Sequence, residues 1–363
     1  MQKPEMPSSS APNDEKPGSS QSAFWWLIGL ATLLLLGAAW FAWEQEPNPD
    51  ANRTAAPGWI DTMQYPIEQN AFKRVPIINT DLNAVFAIDQ HVWIVGNHGL
   101  IIHSEDGGKS WKRQTSGTQA RFLCITFQAD GQQGLVVVED GTILKTVDGG
   151  RNWQKQISNI QVELIRATFA ADGQKGWAVG DDGTILKTLD GGKNWQMQTS
   201  NTEVLLNSIT FAADGQQGWA INTEGAILKT IDGGENWQTQ TNNSEEELYG
   251  ITFQADGQQG WVVGSRGMIL KTIDGGRSWQ AQTSNTKTKL YSIAFQADGQ
   301  QGWVVGEDGT ILKTVDGGKN WWAQPNNART WLSSIKFHAD GQQGWAAGSS
   351  GVILKTMDGG KSW

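Results

Sequence analysis

A chain of 363 residues would ordinarily hold two or three domains, and its formal net charge of −9 excludes the basic face that a nucleic-acid binder needs. A single cysteine, Cys124, excludes an intrachain disulfide, so thiol usage names no compartment. Of the twenty tryptophans, thirteen occupy two fixed positions of a repeat and therefore report periodicity rather than chemistry.

Taken in chain order, residues 1–23 are rich in Pro, Ser and polar residues without hydrophobic period, which predicts a disordered tail. Residues 24–43 carry no charge over twenty positions, enough to cross a hydrocarbon core of about 30 Å as a helix. Trp25 and Trp26 stand at one end and Trp40 and Trp43 at the other, where amphipathic rings favour the two interfaces. A cleavable signal peptide is the rival, but its apolar core would be shorter and followed by small residues at the cut site. An uncleaved signal anchor is the reading adopted. Lys3 and Lys16 precede the span and Arg53 follows it, which by the positive-inside rule puts the remainder of the chain on the periplasmic or lumenal side. Residues 44–70, with Pro47, Pro49, Pro57 and Pro66 among polar residues, read as a tether.

Residues 71–363 form the rest. Here the motif Ser/Thr-x-Asp-Gly-Gly-x-x-Trp recurs seven times at a 42-residue period, with aspartates Asp106, Asp148, Asp190, Asp232, Asp274, Asp316 and Asp358. Within one copy, residues 290–324 hold four short β-like runs, 290–296, 302–306, 310–314 and 320–324, broken by Asp-Gly and Gly-Gly pairs. The expected fold is all-β: a seven-bladed propeller of four-stranded meanders, first strand nearest the central channel. The aspartate is expected to accept hydrogen bonds from its own turn, the paired glycines to allow φ > 0, and the tryptophan to start the outer strand. A second tryptophan series, Trp93, Trp177, Trp219, Trp261, Trp303 and Trp345, should pack between blades; the second copy departs with Leu135 and Val138. Because the chain stops at Trp363, residues 72–75 are expected to supply the outer strand of the last blade and close the ring.

The sameness of the Asp boxes marks scaffold. Divergence between copies lies on the opposite face, in the links between blades and the turns between second and third strands, so binding is expected there. That face is largely acidic, with Glu139, Asp140, Asp181, Asp182, Glu224, Glu307, Asp308 and the run Glu245–Glu247. Arg266, Lys287 and Lys289 make a small basic sector, with Arg329 and Trp331 one blade on and Tyr249 and Tyr291 near the channel mouth. Aromatic and arginine side chains are frequent interface anchors; any single one of them can also be ordinary solvated rim. The four histidines, His91, His98, His103 and His338, are scattered along the sequence, so no metal site is expected, and no cofactor.

The ordered motifs Gly-Trp-x-x-Gly, Gly-x-Ile-Leu-Lys-Thr and Asp-Gly-Gly-x-x-Trp resemble the photosystem II stability/assembly factor family of seven-bladed propellers over about 290 residues. The resemblance implies a non-enzymatic factor that holds a membrane-protein subunit during complex assembly; the family's photosynthetic members are thought to use a basic face, where this chain has only a short basic sector. One alternative is a sialidase, whose members also carry Asp boxes, with Arg74-Val75-Pro76 resembling one of their arginine motifs. Against it stand few arginines near inner strands, Arg121 and Arg166 being nearest, and no Tyr–Glu pairing legible around Tyr65, Tyr249 or Tyr291. The other alternative is a cell-surface carbohydrate-binding or adhesion module, for which the aromatics on the variable face are few.

Overall fold

Each repeat folds into one antiparallel meander because its β-branched and aromatic runs are cut at short intervals by residues that reverse the chain. The computed structural model describes residues 78–156, 158, 160–242 and 244–363. The first blade is β1 (Leu82–Ile88), β2 (His91–Gly96), β3 (Ile101–Ser104) and β4 (Lys112–Gln114), hydrogen-bonded in that order. The same order recurs in each blade through β21 (Leu290–Phe295), β22 (Gly302–Gly306), β23 (Ile311–Thr314) and β24 (Trp322–Ala323) of the sixth. In the seventh, β25 (Leu332–Phe337), β26 (Gly344–Gly348) and β27 (Ile353–Thr356) form a three-stranded sheet among the described residues. The predicted closing strand 72–75 lies outside those residues, as do the predicted tail, membrane span and tether. Among the described residues no helix is long and apolar enough to cross a membrane.

The first and last blades nevertheless meet. The Val85 amide donates to Ser334 Oγ at 3.2 Å, the Ser350 amide donates to Asp81 Oδ1 at 2.9 Å, and Trp345 and Ile353 share a buried cluster with Leu82, Val85 and Ile94. All seven seams are therefore packed, and the ring has seven blades.

The outer strand is shorter than the sequence suggests, and the box tryptophan does not start it. In blade 6 the strand begins at Trp322, after Trp321, because the Asp-box turn runs on through Asn320, whose amide donates to Asp316. Trp321 is buried beneath that turn. In blade 4 the Thr230 hydroxyl donates to Asp232 Oδ1 at 2.7 Å, the Asn236 amide donates to the same oxygen at 3.0 Å, and Asn236 Nδ2 donates to Oδ2 at 2.8 Å. The Gly234 amide in turn donates to Thr230 Oγ1 at 3.0 Å. Gly234 adopts φ 95°, and a Cβ there would lie 2.9 Å from Trp177 Nε1 of the preceding blade, so this position requires glycine.

The second-strand tryptophans seal the seams. Trp219 stacks on Phe253 of the next blade with centroids 3.6 Å apart, and its Nε1 donates to the Gly275 carbonyl of that blade's Asp box at 3.1 Å. Trp177, Trp261 and Trp303 repeat both contacts. The third-strand lysine completes the seam: Lys229 Nζ sits 5.5 Å over the Trp219 ring and donates to the Gly275 carbonyl at 2.7 Å. At the second seam, fully buried Leu135 fills the tryptophan's place. Val138 marks another departure. Where this strand ends in glycine, as at Gly264, a Cβ would fall 2.2 Å from the Glu247 carbonyl, and the following turn takes two consecutive positive φ angles, as at Arg266 and Gly267. Val138 and Asn222 stand in for that glycine in blades 2 and 4, and there only Gly141 and Gly225 have positive φ.

The carboxyls of Asp106, Asp190, Asp232, Asp274 and Asp358 are held at about 2. At Asp232 partial burial pushes upward, but the Asn236 and Thr230 hydrogen bonds outweigh it. A carboxyl depressed below its ordinary 3.8 adds stability above that pH and loses it as the pH falls toward the folded value. The melting temperature is therefore expected to be insensitive to the boxes above about pH 5 and to drop between about pH 4 and 2. Asp232→Asn should flatten that drop; an equal acid slope in the variant would contradict it.

Candidate functional site

The two ends of the ring are chemically distinct, as the backbone shows. Each box glycine amide is bonded into the turn between first and second strands, as Gly233 to the Gln216 carbonyl at 2.8 Å, so these turns share one face. On the other face the turn after the second strand is bonded to the end of the link between blades: Ser265 to Glu247, Glu307 to Lys289 and Ser349 to Trp331, each at 2.9 Å. All seven predicted binding residues lie on or beside these links and turns.

The structure gathers three of them into an aromatic ladder across blades 5, 6 and 7. Tyr249 and Tyr291 have ring centroids 5.4 Å apart, and Tyr291 and Trp331 are 6.3 Å apart. The tyrosines follow the first residue of their inner strands, at the point where the register shifts by a bulge. Trp331 is 54% exposed. Both hydroxyls are anchored: Tyr249 donates to Glu247, and Tyr291 donates to Glu307 Oε1 at 3.0 Å.

The basic residues divide. Arg266 and Lys287 line one cleft of about 560 Å³, together with Glu246, Met268, Gln282 and Asn285. Arg266 occupies the left-handed position of the 3₁₀ turn Ser265–Gly267 (φ 52°), which projects its largely exposed side chain, and it meets Glu246 at 3.2 Å. Lys287 is exposed and makes no ion pair among the described residues. Lys289 is instead part of the ladder: its Nζ lies 5.6 Å over the Tyr249 ring and 3.5 Å from Glu247. The Tyr249 hydroxyl, with Glu247, raises the Lys289 pKa, and the Tyr249 hydrogen bond lowers that of Glu247, so both stay charged. Arg329 is exposed and stands outside the cleft.

Four overlapping matches to the model of the family described as "Photosynthesis system II assembly factor YCF48" cover residues 114–201, 151–242, 195–285 and 277–363, well over half of the chain. The chain belongs to this family.

Two curated Ycf48 proteins match shorter stretches. The photosystem II assembly protein Ycf48 of Synechococcus sp. (strain JA-3-3Ab) is 44% identical over 48 residues, 13% of this chain and 14% of that protein. That of Synechococcus sp. (strain JA-2-3B'a(2-13)) is 38% identical over 58 residues, 15% of this chain and 17% of that protein. The match thus spans less than a fifth of either relative's length. Among solved structures, YCF48 from Cyanidioschyzon merolae is 23% identical with a TM-score of 0.65, covering 79% of this chain and 99% of that one. YCF48 bound to D1 peptide is 22% identical with a TM-score of 0.67, covering 80% and 98%. The GH74 enzyme of Niastella koreensis is 13% identical with a TM-score of 0.66, covering 77% and 52%. These likenesses show the shared propeller fold, and an enzyme among them shows that the fold alone does not choose a function.

Two expectations need correction in this Ycf48-family chain. The tyrosines do have glutamate partners, which the sequence hid: Glu247 is two residues from Tyr249, and Glu307 comes from the neighbouring turn sixteen residues away. Burial first and the glutamate second raise both phenols above their ordinary range. Arg121 is engaged by Glu139 at 3.3 Å and Glu163 at 2.9 Å, and Arg166 donates to the Leu123 carbonyl at 2.8 Å. Arg74 lies outside the described residues. Nor are the histidines all scattered: His91 Nδ1 and His103 Nε2 are 3.0 Å apart across one hairpin, with His103 stacked on Trp93. Burial, then His91, lowers His103 to about 4, so it is neutral at pH 7 and replaces the seam lysine of the other blades. Among the described residues no group of three His, Cys, Asp or Glu gathers.

Proposed function

We propose that this propeller is a non-enzymatic assembly factor that holds a photosystem II membrane subunit through the variable face of blades 5–7. The observation that carries the reading is the ladder Tyr249–Tyr291–Trp331 beside the Arg266/Lys287 cleft, on the face where the repeats diverge. Rigid aromatics offer contact area at low entropic cost, and their anchored hydroxyls fix them before binding. Family membership supports the assembly role, and a relative of the same fold has been solved bound to D1 peptide. In this reading residues 24–43 anchor the chain, and the propeller lies on the periplasmic or lumenal side, where the segment held is an exposed loop or tail of the subunit.

The test is capture of the subunit by crosslinking in native membranes, followed by titration of the corresponding peptide. Trp331→Ala should weaken binding by about tenfold or more, the loss usual for an interface anchor, with an unchanged melting temperature. Full capture by that variant would overturn the assignment of this face.

A further inference from the structure

On the Asp-box face, the residue between the box Ser/Thr and its Asp is apolar in six of seven blades: Val147, Leu189, Ile231, Ile273, Val315 and Met357. All six are exposed, from 53% at Val315 to 72% at Ile231. Their direction follows from the turn. The flanking Thr230 hydroxyl and Asp232 carboxylate are both bonded inward, so the side chain between them points out. An aliphatic group there does nothing for the turn; blade 1 manages with Glu105, which pairs outward with Lys112 at 3.4 Å. Single exposed aliphatics are ordinary, but six at one structural position form a crown that the scaffold does not require. Three residues after each box aspartate stands an exposed base, Lys109, Arg151, Lys193, Arg277, Lys319 or Lys361, with Glu235 the exception in blade 4.

We propose that the Asp-box face is a membrane-contact face, with the crown entering the headgroup–acyl boundary of a bilayer and the interspersed bases meeting anionic headgroups. Structural equivalence around a closed ring puts the six side chains at one height, one per blade. With one aliphatic per blade the crown follows the ring rather than filling one pocket, and a planar lipid surface reaches all six at once. Apolar groups beside Lys and Arg are the chemistry of interfacial binding. The chain also carries its own apolar stretch at residues 24–43, long enough to hold the ring beside a bilayer, where a weak contact suffices to orient it. The inference stands whatever the opposite face binds.

The experiment uses the full chain on vesicles of phosphatidylcholine and phosphatidylglycerol, with an environment-sensitive fluorophore at Ile231→Cys or, on the variable face, at Asn285→Cys; native Cys124 is buried and stays unlabelled. Brominated lipid should quench the label at 231 at least about threefold more than the label at 285, as burial in the headgroup–acyl boundary requires. Substituting serine at Leu189, Ile273 and Met357, all exposed and so neutral to folding, should bring the 231 signal down toward that at 285. Equal quenching at the two sites overturns the proposal, as does failure of the chain to associate with vesicles. Self-quenching of the 231 label with rising concentration in lipid-free solution also overturns it, by giving the crown to a second copy.

Discussion

Replacing Trp219 by alanine should lower the stability of the ring by about 3–5 kcal/mol, the usual range for a fully buried large aromatic, and its melting temperature by on the order of 10 °C. Trp219 is wholly buried and works across a seam. Its ring stacks on Phe253, its Nε1 donates to the Gly275 carbonyl, and the Lys229 ammonium lies 5.5 Å over the ring. Removing it leaves a cavity between blades 4 and 5 and leaves Lys229 half-buried without its aromatic partner, where burial already lowers the lysine pKa. Trp219→Phe keeps most of the volume and loses the N–H donor, so it should cost about 1 kcal/mol. Trp331→Ala is the control, an exposed tryptophan whose loss should stay within about 0.5 kcal/mol. Thermal melts of the three variants decide the matter: if Trp219→Ala melts no lower than Trp331→Ala, the seams are not what holds the ring.

Blade number, strand order and the division into two faces were legible because each depends on local spacing. The Asp-Gly-Gly turn, the aspartate's bonding within it and the alternation of buried residues are decided within one repeat. What needed the structure depends on which residues meet across strands and seams. The role of Lys229 is invisible until the register sets it beside Trp219 and the seam brings Gly275 within reach. Tyr291 and Glu307 are sixteen residues apart, as are the ends of other β-hairpins, and nothing local announces their hydrogen bond. His91 and His103 replace residues that in other blades are a glutamine (Lys175 in blade 3) and a lysine, so their pairing is visible only as two substitutions in one copy. The basic sector was read as three like residues, and the structure separates Lys289, tied to Tyr249 and Glu247, from Arg266 and Lys287, which share a cleft. The apolar crown stood in plain view in the motif, but a single exposed aliphatic carries no signal until the ring aligns six of them.

That separation shapes the second large effect. Reversing both cleft cations, Arg266→Glu with Lys287→Glu, should weaken capture of the subunit by about 100-fold or more while leaving the melting temperature unchanged. Arg266 already shares its charge with Glu246, so the reversal places two new carboxylates beside an existing one on a face that is acidic elsewhere. Like-charge juxtaposition at an interface costs several kcal/mol, of which about 2.7 suffices for this loss. Lys289 is left intact, because a glutamate there would confront Glu247 and disturb the ladder itself. A compensating change distinguishes net charge from the specific pair. Adding Glu246→Arg to Arg266→Glu restores the local charge with the ion pair reversed. If net charge governs capture, this swap should bind nearly as the parent does, and raising the salt from about 50 to 300 mM should narrow the differences as screening grows. Capture by the double reversal equal to that of the parent would remove the cleft from the binding face and leave the aromatic ladder to act alone.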